Sequence, residues 1–307
     1  MKNLKQQYKD GSLSKKDFID KALDSHKLLF EYAELLRETE VREISINEFG
    51  VNFKIGDDIS LYSPPNEGRV APIEILNFDT YEINEREVID KMSYESVSIL
   101  DIGANIGWYS IYFAKKNPKA KVYSFEPIPT SYSFLQKNIA QNFLGERVSC
   151  FNHAVSDKNG LLELFISPGN GTNASIANVA NENNIRSIKS YSLTVDEWCN
   201  NQKVSPDFIK CDVEGAELLV FQGGVNTLIN FKPIVFTELL RKWTKPFGYH
   251  PNDVILFFKE IDYRCYAIGE EGVQRLYEVT ESTPETNYIF LHELQHSGKI
   301  NEIENHI

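Results

Sequence analysis

Four short apolar runs in this chain each end in a carboxylate. Residues 97–100 lead to Asp101, 121–125 to Glu126, 208–211 to Asp212 and 234–237 to Glu238. As parallel strands of one sheet, they would gather these acids along one edge, where open α/β sheets bind their ligands. The first acid opens a glycine-rich turn, Asp101-Ile-Gly-Ala-Asn-Ile-Gly107. Gly103 permits a tight reversal after the strand, and Gly107 lets the next helix come close to a ligand. A row of acids beside such a turn suits a nucleoside that carries positive charge and suits a pyrophosphate poorly. Glu126, stopped by Pro127, stands where Rossmann-like folds hold ribose hydroxyls. The third strand-like run ends in Asn152-His-Ala-Val-Ser-Asp157, which places His153, Ala154 and Val155 to border an adenine ring. The fourth piece is Lys210-Cys-Asp-Val-Glu-Gly-Ala-Glu217. Asp212 and Glu214 repel each other there unless a cation, Lys210 or a substrate hydroxyl compensates. Glu217 reads as an acid favoured at a helix N-terminus.

The elements that must position these residues alternate between strand and helix from 97 to 240, the pattern of a mostly parallel sheet. The strands expected are 97–101, 121–126, 147–152, 161–166, 207–212 and 233–238. The helices expected are 107–117, 131–143, 194–202 and 214–229, the last interrupted at Gly223 and Gly224. A helix follows Pro251, and 263–268 with 287–291 read as a closing antiparallel hairpin around a polar stretch. The tail from about 293 is expected to fray. Upstream, 14–40 has a helical apolar stripe that needs a partner, either the main domain or a second subunit, with Ser14 and Asp17 as its cap. Residues 43–63 alternate like short strands, and 80–95 read as helix. The division expected is an extension over 1–76 and a main domain over 77–307.

With 42% hydrophobic residues the chain can bury an ample core, and its formal charge of −12 argues against nucleic-acid backbone binding. No apolar run is long enough to span a bilayer and no signal peptide is visible. The four cysteines lack CxxC spacing, which fits a reduced, cytoplasmic setting.

The motifs Asp101–Gly107, Ser124-Phe-Glu-Pro127, Ala154-Val-Ser-Asp157 and Ile209–Glu217 together resemble, in order and spacing, the FkbM family of S-adenosylmethionine-dependent methyltransferases. Tyr81-Glu82 and Pro233–Glu238 are also similar to family positions, and the likeness covers roughly residues 75–292. The resemblance implies an α/β, Rossmann-like class I methyltransferase sheet of seven strands with a reversed last strand. It implies that Asp101, Gly103, Ala104, Asn105 and Gly107 shape the methionine and sulfonium pocket, with Glu82 and Asp212 beside it. Glu126 and Pro127 would then meet the ribose, and His153, Ala154 and Val155 the adenine.

The activity expected is O-methylation of a hydroxyl on a saccharide or glycosylated small molecule. Methyl transfer is an in-line displacement that needs an aligned, deprotonated acceptor. Asp212, Glu214 and Glu238 are the candidate catalytic acids. Asp212 and Glu238 are also candidate ligands for a divalent cation such as magnesium. His250 either reaches this site or caps a helix. The polar loop 167–175 is a candidate lid, Trp108, Tyr109, Trp243, Phe247 and Tyr249 are candidate stacking aromatics, and 14–40 is a candidate homodimer surface. Two rivals stay open. A nicotinamide-dependent oxidoreductase predicts Gly-x-Gly-x-x-Gly, but Asn105 stands at the second glycine. A non-catalytic module that only binds S-adenosylmethionine is the other.

Overall fold

The computed structural model describes residues 1–56, 58–65, 67–166, 174–175 and 186–305. The chain begins with helices α1 (Lys2–Lys9) and α2 (Lys15–Leu35). Ser14 caps α2 as expected, its Oγ accepting the Asp17 N–H at 3.1 Å. Ala22 is buried on α2, whereas Ile19, Leu23, Leu28, Leu29 and Phe30 lie exposed. Strands β1 (Val41–Asn47), β2 (Gly50–Ile55) and β3 (Ile59–Tyr62) then form an antiparallel sheet. Their alternation turns Phe53, Ile55, Ile59 and Leu61 inward, into the same core as Ile99, Phe113 and Phe208. Helix α3 (Ala71–Phe78), which the sequence pattern did not reveal, and α4 (Ile83–Ser93) lead to the central sheet.

From there the chain runs β4 (Ser98–Ile102), α5 (Trp108–Lys116), β5 (Lys121–Phe125), α6 (Pro129–Gln141), β6 (Val148–Phe151) and β7 (Ala154–Val155). Next come β8 (Gly160–Ile166), β9 (Ala174–Ser175), β10 (Arg186–Leu193), α7 (Val195–Gln202), β11 (Phe208–Cys211), α8 (Glu217–Gln222), α9 (Val225–Phe231) and β12 (Ile234–Glu238). The chain ends with α10 (Arg241–Thr244), α11 (Pro251–Glu260), β13 (Tyr263–Gly269), β14 (Gly272–Leu276), β15 (Asn287–His292) and α12 (Ser297–Asn305).

Among the described residues the main sheet has eight strands in the order β14-β13-β15-β12-β11-β4-β5-β6. The block from β12 to β6 is parallel, and β15 runs antiparallel to both β12 and β13. This is the expected Rossmann-like sheet with its reversed last strand, widened at one edge by β14. The strands are buried on both faces, which is why they read as unbroken apolar runs. Ile99, Phe208, Ile234 and Phe236 pack on one face, while Leu100, Ile102, Ile209 and Val235 pack on the other.

Three expectations are corrected. Residues 160–166 do not join the parallel sheet; β8 pairs antiparallel with β10 in a separate small sheet. The alternation in β8 is that of a half-exposed antiparallel strand, with Leu161 exposed and Leu164 buried. The polar stretch before the last strand contains β14, which pairs with β13 and leaves β15 on β13's other side. The tail does not fray at 293: α12 buries Ile300, and Glu304 accepts hydrogen bonds from Arg264 and Tyr266.

Candidate active site

Pro127 stops β5, and Pro129 supplies a preset φ for the first turn of α6. Just before Pro127, Glu126 sits at the strand end, 4% exposed. Its Oε2 accepts the Asn105 N–H and its Oε1 the Ile128 N–H, both at 2.8 Å. Burial pushes its carboxyl up to about 7, opposed by these two backbone donors. Asn152 Nδ2 fixes the backbone beside it, donating to the carbonyls of Glu126 and Pro127.

The glycine turn is held from several sides. The N–H groups of Gly103 and Ala104 both donate to the Phe125 carbonyl at 3.0 Å. Gly103 has φ +80, and a Cβ there would lie 1.8 Å from the Asp212 carbonyl oxygen. Only glycine lets the turn pass so close to the end of β11. Asp101 does not face outward: it is fully buried beneath the turn. Its Oδ2 accepts the Ser110 hydroxyl at 2.5 Å, and Lys210 Nζ stands 3.7 Å from Oδ1. Burial raises the Asp101 pKa, and Lys210 opposes the shift.

These elements line a cleft that opens to solvent. Gly103, Asn105, Glu126, Pro127, His153, Ala154, Val155, Asp212 and Glu214 line it, as the sequence suggested. Ile128, Leu164 and Ala216 add apolar wall that no sequence signal revealed. Two buried side-chain atoms of lining residues, Asn105 Oδ1 and His153 Nδ1, have no hydrogen-bond partner among the described residues. Buried polar atoms are nearly always partnered, so each points to a ligand.

On the other side of the cleft the carboxylates crowd together. Cys211 pairs with Thr237 in parallel register, so Asp212 and Glu238 follow at the ends of neighbouring strands. Lys210, 3% exposed, donates to the Gly103 carbonyl at 3.0 Å and lies 3.4 Å from Asp212 Oδ2. Burial opposes its charge, but Asp212 and Asp101 outweigh burial and hold its pKa above the usual lysine value. Burial, then the charge of Asp212, pushes Glu214 up to about 8 and Glu238 up to about 9. Glu82 joins the group from the start of α4, in a left-handed conformation with φ 48. Burial pushes it up to about 7, while hydrogen bonds from Tyr109 and Tyr81 pull the other way.

Glu217 acts within its own loop. Its Oε1 accepts the Val213 and Gly215 N–H groups at 3.1 Å, and its Oε2 accepts the Tyr249 hydroxyl at 3.2 Å. His250 caps α11 in a box with Asp253. Tyr109, a candidate stacking aromatic, is buried and donates its hydroxyl to Glu82. The candidate lid falls mostly on 167–173, outside the described residues. Among the described residues no three His, Cys, Asp or Glu side chains are arranged to hold a metal ion. Of the two residues expected to hold magnesium, Asp212 has the Lys210 ammonium 3.4 Å from its Oδ2. Among the described residues no helix is long and apolar enough to cross a membrane.

Comparison with known proteins agrees with this geometry. Over 167 residues the chain is 30% identical to the 2-O-methyltransferase NoeI of Sinorhizobium fredii, covering 50% of this chain and 67% of that protein. It is 32% identical over 165 residues to the hexuronic acid methyltransferase AglP of Haloferax volcanii, covering 52% of this chain and 60% of that one. Among solved structures, the methyltransferase FkbM of Methylobacillus flagellatus aligns over 64% of this chain and 44% of its own, at 14% identity and a TM-score of 0.43. Residues 101–265, from the acid beneath the glycine turn into β13, match the Methyltransferase FkbM domain, and the chain belongs to that methyltransferase family.

Proposed function

We propose that the protein transfers a methyl group from S-adenosylmethionine to a hydroxyl of a saccharide or of a glycosylated small molecule. The carrying observation is that the cleft lined by Glu126 and His153 meets a crowded set of carboxylates at Asp212.

The residues of the cleft fit the cofactor. Each Glu126 oxygen accepts one backbone N–H, which leaves a lone pair apiece for the two ribose hydroxyls. The side-chain atoms His153 Nδ1 and Asn105 Oδ1 are buried and lack partners among the described residues. Ala154, Val155, Leu164 and Ile128 offer apolar surface to adenine. Asp212 supplies negative charge for a sulfonium. Bound there, S-adenosylmethionine supplies an electrophilic methyl group.

The chain must then orient the acceptor and remove its proton. Asp212, with its side chain 37% exposed, faces the opening, and Lys210 holds it from behind. The group keeps protons on Glu214 and Glu238 near neutral pH, because burial and then the charge of Asp212 raise both. It can therefore donate a hydrogen bond to one acceptor oxygen and accept the proton of another, a role worth about 10²–10⁴-fold in rate. Tyr81 and Tyr109 hold Glu82 at the edge of this group. The carboxylate of Asp212 at the opening disfavours an anionic acceptor, so a neutral sugar hydroxyl fits this site better than a uronate.

The test is incubation with methyl-labelled S-adenosylmethionine and a panel of neutral and uronic saccharides. Label transfer to neutral sugars is expected. Reduction of a nicotinamide cofactor, with no label transfer, would overturn the reading.

A further inference from the structure

We infer that Asn138 is a positioning residue that braces the cofactor turn against the amino-terminal strands, an inference that rests on the S-adenosylmethionine reading above. Asn138 lies on α6 and is fully buried. Its Oδ1 accepts the Tyr62 N–H at 2.7 Å, and its Nδ2 donates to the Tyr62 carbonyl at 3.1 Å. This pair of bonds to one residue of β3 fixes the orientation of the amide. The second Nδ2 hydrogen is thereby aimed at the Ile106 carbonyl, 2.9 Å away in the glycine turn.

The Ile106–Gly107 peptide is then held at both ends. Its carbonyl accepts from Asn138, and its N–H, that of Gly107, donates to the Ala104 carbonyl at 2.8 Å. Helix α6 also presses on the turn one residue later. Gly107 has φ +96, and a Cβ there would lie 2.7 Å from Leu135 Cδ1. Between these supports Asn105 sits at φ 49, a conformation that a non-glycine residue keeps only where its surroundings impose it. The Asn105 N–H is one of the two groups that orient Glu126. The chain of support thus runs from Tyr62 through Asn138 and Ile106 to Asn105 and the ribose-facing carboxylate. No conserved motif need announce it, since its two ends belong to different sheets.

Asn142, one turn further along α6, provides an internal control. Its Oδ1 accepts the Ser60 N–H at 3.1 Å, and its Nδ2 donates to the carbonyls of Ser60 at 2.7 Å and Asn138 at 2.8 Å. Among the described residues none of its hydrogen bonds goes to the glycine turn. Both asparagines therefore join α6 to β3, but Asn138 alone of the two carries that link onward to the cofactor loop.

The experiment compares Asn138→Ala and Asn142→Ala in the full chain by thermal melting and by calorimetric titration with S-adenosylhomocysteine, well below either midpoint. Both variants should melt lower than wild type. Asn138→Ala should weaken S-adenosylhomocysteine binding by about tenfold or more, and Asn142→Ala by less than about twofold. Equal weakening in the two variants would make Asn138 a merely structural residue and overturn the inference, as would unchanged affinity in Asn138→Ala. Should Asn138→Ala fail to fold, Asn138→Ser, which keeps a polar atom for Tyr62, carries the same comparison. Failure of the wild-type protein itself to bind S-adenosylhomocysteine would overturn the cofactor reading and this inference with it.

Discussion

On the β4–β5–β6 side of the cleft, the acids are met by neutral donors. Glu126 is held by two N–H donors, Asp101 lies under the turn on Ser110, and the turn itself hangs from the Phe125 carbonyl. On the β11–β12 side, carboxylates meet one another, and Lys210 is the buried cation set among them. The first side is organised before any ligand arrives. The second side keeps its protons because burial, and then the repulsion between its acids, opposes their charge, which suits a region that must exchange a proton with an acceptor.

The sharpest way to break this comparison is at the seam of the two sides. Gly103→Ala would place a methyl 1.8 Å from the Asp212 carbonyl oxygen, in a backbone conformation that alanine rarely adopts. Loss of measurable S-adenosylhomocysteine binding is expected, with either misfolding or a displaced 211–213 segment. Near-normal affinity would show that the turn is not held against β11 as described.

The second prediction separates the sides. Asp212→Asn keeps the shape but removes the charge that Glu214 and Glu238 feel. Methyl transfer should fall by about 10²–10⁴-fold, while S-adenosylhomocysteine affinity should change little. Equal loss of both would place Asp212 with the cofactor side alone.

The smallest effect concerns stability and pH. In the folded protein Glu82 and Glu126 titrate at about 7, Glu214 at about 8 and Glu238 at about 9, all above the ordinary value of 4.5. Between the ordinary value and these raised ones the folded state binds more protons than the unfolded state. Stability therefore falls as pH rises through that window, the reverse of a salt-bridged acid. The melting temperature should decline from about pH 6 to about pH 9, and Glu238→Gln, which cannot ionise, should flatten the slope. A melting temperature that rises over this range would contradict the crowded-acid description.

How much of this was legible in the sequence followed from how each side is built. The cofactor side is local: Gly103, Asn105 and Glu126 are strand-end residues in short motifs, and sequence order alone brings them to one edge. The reversed last strand was legible from the 263–268 and 287–291 runs. The acceptor side depends on tertiary placement. That Glu82 is held by Tyr109, or that Glu217, in the first turn of α8 as expected, also accepts the Val213 and Gly215 N–H groups, requires the packing of α4, α5 and α8. Strand β10 is polar at Arg186, Ser187, Lys189, Ser190 and Ser192 because it belongs to a small, half-exposed sheet, and so it carried no strong strand signal. Helix α12 escaped notice because its single deeply buried residue, Ile300, leaves a largely polar sequence. Asn138 was invisible for a related reason: its bonds join residues far apart in the chain.

The most direct test of the central claim, that this sheet edge is an S-adenosylmethionine site, is calorimetric titration with S-adenosylhomocysteine on wild type and Glu126→Ala. Micromolar binding, about 8 kcal/mol, weakened by about tenfold or more when the two ribose contacts are lost, is the predicted result. Absence of binding to wild type, with NAD or NADP bound instead, would contradict it.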